Sequence, residues 1–284
     1  MSDTARETLA DVSVVITFRA ADEHRVLALG AVLKHYAQWP MLEVILVEQA
    51  AEPERIGHPL PHNVQHHFVF NPGAFNKSWG MNVGARMSTR AVLLCADADT
   101  LLAPDAVEQS ARLCRRRFSA VRPCDRWLDL DATESAVLAT GMHAPNWQRT
   151  DARNTRREHE VLNFCAGAFL VRREAFIALG GFDERFQGWG GEDDAMALKL
   201  RRSGHALGRV ADSTVLHLWH PHEQATTFQQ THYANNVAML NALAALDDTA
   251  FRFLCEVQRQ LLGNPRKYTL ASTPVRMPAA VATG

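Results

Sequence analysis

Three consecutive carboxylates, Glu192-Asp193-Asp194, follow Gln187-Gly188-Trp189-Gly190-Gly191 and precede the stretch from Ala195 to Arg202. That stretch sets apolar Met196, Leu198 and Leu200 among helix formers and stops at Gly204, which puts the acids in the first turn of a predicted helix. Free N–H groups and the macrodipole favour ionised carboxylates there. Such a set is a catalytic arrangement, and it can equally be an ordinary acidic cap. Gly188, Gly190 and Gly191 let the backbone ahead of it change conformation, and Trp189 offers a flat apolar face of the kind sugar rings stack on.

A second acidic motif, Asp97-Ala98-Asp99, ends the apolar run Ala91 to Ala96, which reads as a buried central strand. Alternation puts Asp97 and Asp99 on one side, at the carboxyl edge of the sheet, where open α/β sheets bind ligands. Two converging carboxylates suit Mn²⁺ or Mg²⁺, with further ligands from a diphosphate and from the protein. A turn after a buried strand is the plainer alternative. His217, His220 and His222 follow another predicted strand, Ser213 to Trp219, and can supply the imidazole that Mn²⁺ accepts at the same sheet edge. A set of surface turn histidines is again the simpler reading.

The elements that must position these groups alternate strand and helix. Val12 to Phe18 is a strand, and a helix begins at Asp22 with Val26, Leu29, Leu33 and Tyr36 on one face. Leu42 to Val47 and Val64 to Phe70 are strands; Phe75 to Met87 is helical despite Gly80 and Gly84; Pro104 opens a helix running to Arg116. The pattern predicts a doubly wound, mainly parallel α/β sheet. Residues 123–160 read as loop with short helices, a functional lid or binding loop. Ala166 to Arg172 resumes as strand and Glu174 to Leu179 as helix, with Gly180-Gly181 as a hinge; further helices run from about Gln224 to Leu246 and on through Leu262. The expected organisation is one catalytic domain over residues 1–264, with a nucleotide-binding half at about 11–122, an acceptor and catalytic half at about 123–264, and a flexible tail at 265–284.

The chain has 284 residues, 47% of them hydrophobic, enough for one large core. A formal net charge of −1 gives no case for nucleic acid or an anionic membrane. The five cysteines are dispersed and never in C-x-x-C spacing, which argues against a disulfide framework or structural zinc and for a reducing cytoplasm. No run approaches the roughly 20 apolar residues of a spanning helix, leaving peripheral membrane contact open.

Taken together, Phe18-Arg19 with Glu23-His24, Phe75-Asn76-Lys77 with Asn82-Val83-Gly84, Asp97-Ala98-Asp99, and Gly188 to Asp194 resemble the β-1,4-galactosyltransferase family and its bacterial relatives among the GT-A, family-2-like glycosyltransferases. The resemblance runs from about Val12 to His222. It implies the GT-A fold with an elaborated acceptor-binding C-terminal half, and metal-dependent transfer from a UDP-sugar, galactose or N-acetylgalactosamine favoured, to a hydroxyl acceptor.

Carried over by motif, Thr17, Phe18, Arg19, Lys77, Asn82, Asp97, Trp189 and Gly191 would bind the nucleotide-sugar, Phe18 and Arg19 at the uracil and Asp97 on the ribose and diphosphate side. Asp99 with His217 or His220 would hold the metal, Asp193 would be the base of an inverting displacement, and Phe164, Trp189, Glu192 and Asp194 would face sugar hydroxyls. The sequence departs from the family in lacking a proline before Phe18 and a phenolic hydroxyl at Phe164, and the family's anchor, stem and disulfide cysteines have no counterpart. His217-Leu218-Trp219 is also similar to the metal-binding segment of the polypeptide N-acetylgalactosaminyltransferases, which retain configuration. A nucleotidyltransferase would want a Gly-rich loop after the first strand, where this chain has Arg19-Ala20-Ala21-Asp22. A sugar-binding protein that has lost catalysis would be expected to have lost an acidic motif, and both are present.

Overall fold

The computed structural model describes residues 3–53, 56, 59–141, 143–149, 155–157, 164–221 and 232–269. Its larger sheet has seven strands in the order β10-β6-β9-β4-β1-β2-β3. These are β1 (Val12–Phe18), β2 (Glu43–Ala50), β3 (Val64–Phe70), β4 (Val92–Ala96), β6 (Ala120–Arg122), β9 (Ala168–Arg172) and β10 (Leu207–Arg209). The pairs β1/β2, β1/β4, β2/β3 and β6/β10 are parallel. β9 runs antiparallel to both β4 and β6, a reversal that strand patterning alone does not reveal. A smaller sheet, in the order β5-β11-β7-β8, is built from β5 (Thr100–Leu102), β7 (Arg126–Asp129), β8 (Thr155–Arg157) and β11 (Thr214–His217).

Both faces of the larger sheet are covered, which is why its central strands β1 and β4 are buried along their whole length and mostly apolar. Val14, Ile16 and Phe18 of β1 join a core with α2 (Glu23–Ala37) and α4 (Pro104–Arg116), whereas Val15 joins Met81 and Ala85 of α3 (Lys77–Met87), Phe176 of α6 (Arg173–Ala178) and Met196 of α7 (Glu192–Arg202). Each of the Val, Ile, Phe and Met side chains contributes about 1.5–3 kcal/mol by leaving water. Asp22 caps α2 by accepting from the Arg25 N–H at 2.9 Å, and Asn76 caps α3 by accepting from Trp79 N–H at 2.8 Å. The glycines that weaken the helical reading of α3 have a packing cause. A Cβ on Gly80 would fall 2.0 Å from Thr17 Oγ1, and one on Gly84 2.3 Å from Val15 Cγ1, so only glycine lets α3 lie this close to β1.

Several expectations need correction. The segment read as loop with short helices contains β7, the helix α5 (Ala132–Thr140) and β8; a four-residue strand is too short for alternation to register. Residues 142, 150–154 and 158–160 of that segment lie outside the described residues. Of the helix expected from Gln224, the described part is α8 (Tyr233–Ala245), followed by α9 (Asp248–Leu261). The start of the expected flexible tail is packed: Tyr268 lies edge-on to Trp79 at 4.9 Å and its hydroxyl accepts from Asn76 Nδ2 at 3.1 Å. Residues 270–284 lie outside the described residues. No helix among those described is long and apolar enough to cross a membrane.

Candidate active site

The acids of the two motifs meet around one ammonium group. Gly191 caps α7 in the left-handed region, at φ 88°, and delivers Glu192, Asp193 and Asp194 into its first turn. Lys77, the first residue of α3, places Nζ 2.9 Å from Asp97 Oδ1, 3.1 Å from Asp193 Oδ2 and 3.8 Å from Glu192 Oε1. Three carboxylates thus share one largely buried cation. Burial pushes the Asp193 carboxyl up, with Lys77 opposing and Glu192 and Asp97 adding to the rise, to about 8. Burial likewise raises Glu192 and Asp97 against the pull of Lys77. Burial alone would lower Lys77, but Asp193, Asp97 and Glu192 hold its ammonium well above the usual lysine value. Asp193 Oδ1 and Glu192 Oε2 are buried and have no hydrogen-bond partner among the described residues. Among the described residues nothing pairs with these two acceptor atoms, which leaves them available to a ligand.

Asp99 turns to a different set of partners. The turn is held by Asp97 N–H donating to Gly167 O at 2.8 Å and by Thr100 Oγ1 donating to the same carbonyl at 3.3 Å. Asp99 Oδ1 lies 3.8 Å from His217 Nε2 and its Oδ2 3.4 Å from His220 Nε2. One ligand atom from each residue falls within 4.8 Å of the others. A carboxylate with two imidazoles suits a borderline divalent cation such as Mn²⁺, and the donor set fits that ion. Both histidines converge on Asp99; His222, the third of the cluster, lies outside the described residues.

The remaining motif residues divide between surface and interior. Trp189 is half exposed and stacks on Tyr233 at 5.6 Å with 20° between the rings, while Asn236 Nδ2 donates to Gln187 O at 2.9 Å and Trp189 O at 3.3 Å. Asp194 is exposed at the same helix end. Arg19 lies at the edge of β1, and its guanidinium donates to Gln49 O, Gly73 O and Asn71 O at 2.7–3.1 Å, clamping the loop after β3.

Three positions expected to touch a nucleotide are interior instead. Phe18 is 2% exposed in the core on the α2 side. Thr17 is buried against α3 and accepts from Gln49 Nε2 at 2.7 Å. Asn82 is buried, with Nδ2 donating to Phe182 O at 2.8 Å and Glu184 Oε1 at 3.0 Å and Oδ1 accepting from Phe182 N–H at 2.9 Å. Asn82 thus joins α3 to the loop ahead of α7, and its polar atoms are already used. Phe164 is also buried, 6.5 Å from Phe169, next to a thiol, Cys165, that with Cys95 lies near Asp193.

Sequence reasoning missed Asp129, whose Oδ1 lies 3.0 Å from His217 Nδ1 and accepts from Trp127 Nε1 at 2.9 Å. It also missed Tyr233 and Asn236, which hold the Trp189 loop. Asp129 sits in the stretch read as loop, and only the register of β7 against β11 brings it beside His217.

The fold is the GT-A fold of glycosyltransferases. Over 84% of its length the chain superposes on 48% of GalNAc-T7, solved with UDP, GalNAc and Mn²⁺, with a TM-score of 0.56 and 18% identity. It also aligns, with a TM-score of 0.47 and 15% identity, to the catalytic domain of Drosophila β1,4-galactosyltransferase 7 in complex with xylobiose, over 81% of this chain and 79% of that one. Residues 150–222 match the family described as the N-terminal domain of galactosyltransferase. That span holds both Gly188 to Asp194 and the two histidines. Human chondroitin sulfate N-acetylgalactosaminyltransferase 2 is 24% identical over 148 residues, which are 51% of this chain and 27% of the human protein. The matched region is thus about a quarter of that relative's length.

Proposed function

We propose that this chain is a metal-dependent glycosyltransferase that moves galactose or N-acetylgalactosamine from its UDP conjugate to a hydroxyl acceptor, with inversion at the anomeric carbon. The observation that carries the reading is Asp193: Oδ2 is held by Lys77, which also pairs with Asp97, while Oδ1 is buried without a partner among the described residues, and Asp99, two positions on from Asp97, lies beside His217 and His220. The kinship of residues 150–222 with galactosyltransferases and the GT-A fold support it.

Asp99, His217 and His220 would hold Mn²⁺, or Mg²⁺. When bound, the ion supplies positive charge against the departing diphosphate. Asp193 Oδ1 accepts the proton of the acceptor hydroxyl as that oxygen bonds to the anomeric carbon, and the bond from that carbon to the phosphate oxygen breaks with its electron pair leaving on UDP. Lys77 keeps Asp193 oriented and offsets part of the negative charge of the cluster. Trp189, backed by Tyr233, provides a shelf for a sugar ring and, with the glycines around it, can close over bound donor. Glu192 Oε2 is available to a sugar hydroxyl. The dispersed cysteines, none in C-x-x-C spacing, support a reducing, cytoplasmic setting.

The test is release of UDP from UDP-galactose, UDP-N-acetylgalactosamine, UDP-glucose and UDP-N-acetylglucosamine with and without Mn²⁺. Metal-dependent release from a galacto-configured donor is expected, and no release from any of the four would sink the reading. The anomeric configuration of the product, read by NMR coupling constants, separates inversion from the retaining course suggested by the likeness of His217-Leu218-Trp219 to retaining enzymes.

A further inference from the structure

We infer that Asp129 is the positioning residue of the cation site: it fixes the ring and the tautomer of His217 so that Nε2 presents its lone pair beside Asp99. This rests on the proposed cation role of His217 and extends it to a residue no motif contains.

β7 and β11 are parallel, with Asp129 paired to His217 and Trp127 to Val215. Asp129 Oδ1 and His217 Nδ1 are 3.0 Å apart, and an ionised carboxylate can only accept, so the proton of the neutral imidazole sits on Nδ1. Nε2 is then the unprotonated nitrogen, and it is the one facing Asp99 Oδ1. Such an outer carboxylate orients a ligating imidazole and raises its basicity.

Asp129 is itself anchored. Trp127, two residues earlier on the same face of β7, donates from Nε1 to Asp129 Oδ1 at 2.9 Å, and its ring centroid lies 5.2 Å from that of His217. The indole in turn occupies the space a side chain at 167 would need: a Cβ on Gly167 would fall 2.2 Å from Trp127 Cζ3. Gly167 O accepts the Asp97 N–H, so the anchor of Asp129 and the turn that carries Asp99 rest on the same residue.

The experiment measures Mn²⁺ affinity of the full chain by EPR of free Mn²⁺, together with ¹⁵N shifts of its histidines without metal. Asp129→Ala should weaken Mn²⁺ by about 10–100-fold while the chain stays folded, and Asp129→Asn, which keeps an acceptor at Oδ1, should lose less. In a His217→Ala background, Asp129→Ala should add nothing. The metal-free wild type should show His217 protonated on Nδ1, a signature that Asp129→Ala erases. Wild-type affinity in Asp129→Ala, an equal loss in the His217→Ala background, or His217 protonated on Nε2 would each overturn the inference. A wild type that does not retain Mn²⁺, yet has the Nδ1 proton and loses it in Asp129→Ala, would remove the cation reading while leaving the orientation of His217 by Asp129 in place.

Discussion

Lys77 Nζ lies 3.1 Å from Asp193 Oδ2, joining the first residue of one helix to the first turn of another across the cleft. The same ammonium meets Asp97 at 2.9 Å, so a single side chain links the two acidic motifs that are 96 residues apart between Asp97 and Asp193. With Glu192 also nearby, the cluster carries more potential negative charge than Lys77 can balance, and protons make up part of the difference.

Removing that cation leaves buried carboxylates uncompensated. Lys77→Met should destabilise the fold by about 3–5 kcal/mol in urea or guanidinium unfolding, the scale for breaking a buried ion pair. It should also abolish turnover. A Lys77→Met protein as stable as wild type would mean that the acids reach solvent or hold protons without it.

Asp193 sets the pH behaviour. Its pKa of about 8 in the folded chain lies above the ordinary unfolded value of about 4, so between these the folded state holds a proton that the unfolded state has released. This group's contribution to stability is therefore full below pH ~4 and falls as pH rises through about 8. Lys77, Glu192, Asp97 and the thiols of Cys95 and Cys165 face the same carboxyl and shape that transition. Activity should run the other way, rising through about pH 8 as Asp193 ionises. Asp193→Asn should flatten the stability slope and lower kcat by about 10²–10⁴-fold while donor KM changes little. A variant with normal kcat and weak donor binding would remove Asp193 from the role of base.

At the cation site, Asp99→Ala should abolish metal-dependent UDP binding, and His217→Ala and His220→Ala should each weaken Mn²⁺ in direct titration. Retention of wild-type activity by Asp99→Ala at limiting Mn²⁺ would reduce the acidic pair to a turn.

Asn82 provides the opposite kind of test. Because its side chain bonds Phe182 and Glu184, Asn82→Ala should cost about 1–3 kcal/mol by leaving buried partners unmet, with donor KM close to wild type. A selective rise in donor KM at unchanged stability would return Asn82 to the nucleotide site.

The loop before α7 depends on left-handed glycine. At Gly191 a Cβ would approach Phe186 Cε1 to 2.8 Å in addition to the strained φ of 88°, so Gly191→Val should lower stability by about 1–3 kcal/mol and reduce turnover. Trp189 fluorescence should respond to Mn²⁺ and UDP-sugar added together and little to either alone. A signal that responds fully to UDP-sugar without metal would count against ordered closure.

The acids and imidazoles of the site were legible because their types and spacing carry chemistry on their own: Asp97 and Asp193 meet at Lys77, and Asp99 meets His217 and His220. The central strands were legible because burial on both faces leaves them largely apolar, as in Val12 to Phe18 and Val92 to Ala96. What the sequence concealed is what depends on register. β5 and β7 have three and four residues, too few to show a period, and Asp129 acquires its meaning only from pairing with His217. The motif positions Thr17, Phe18 and Asn82 mislead for a related reason: a side chain's place in the sequence motif does not say whether it faces the cleft or the layer beneath it.

Asp97 and Asp99 stand one residue apart, yet Asp97 belongs with Lys77 at the end of the large sheet and Asp99 with the histidines of the small one. Under the proposed chemistry, the span between proton acceptor and charge neutraliser is therefore gauged by two peptide units, the shortest ruler the chain can offer. A segment such as residues 143–149, which supplies none of these groups, is free to vary without recalibrating the reaction centre. An alanine inserted after Ala98 should act in the reverse sense, uncoupling the two halves while each still folds and keeps its own partners.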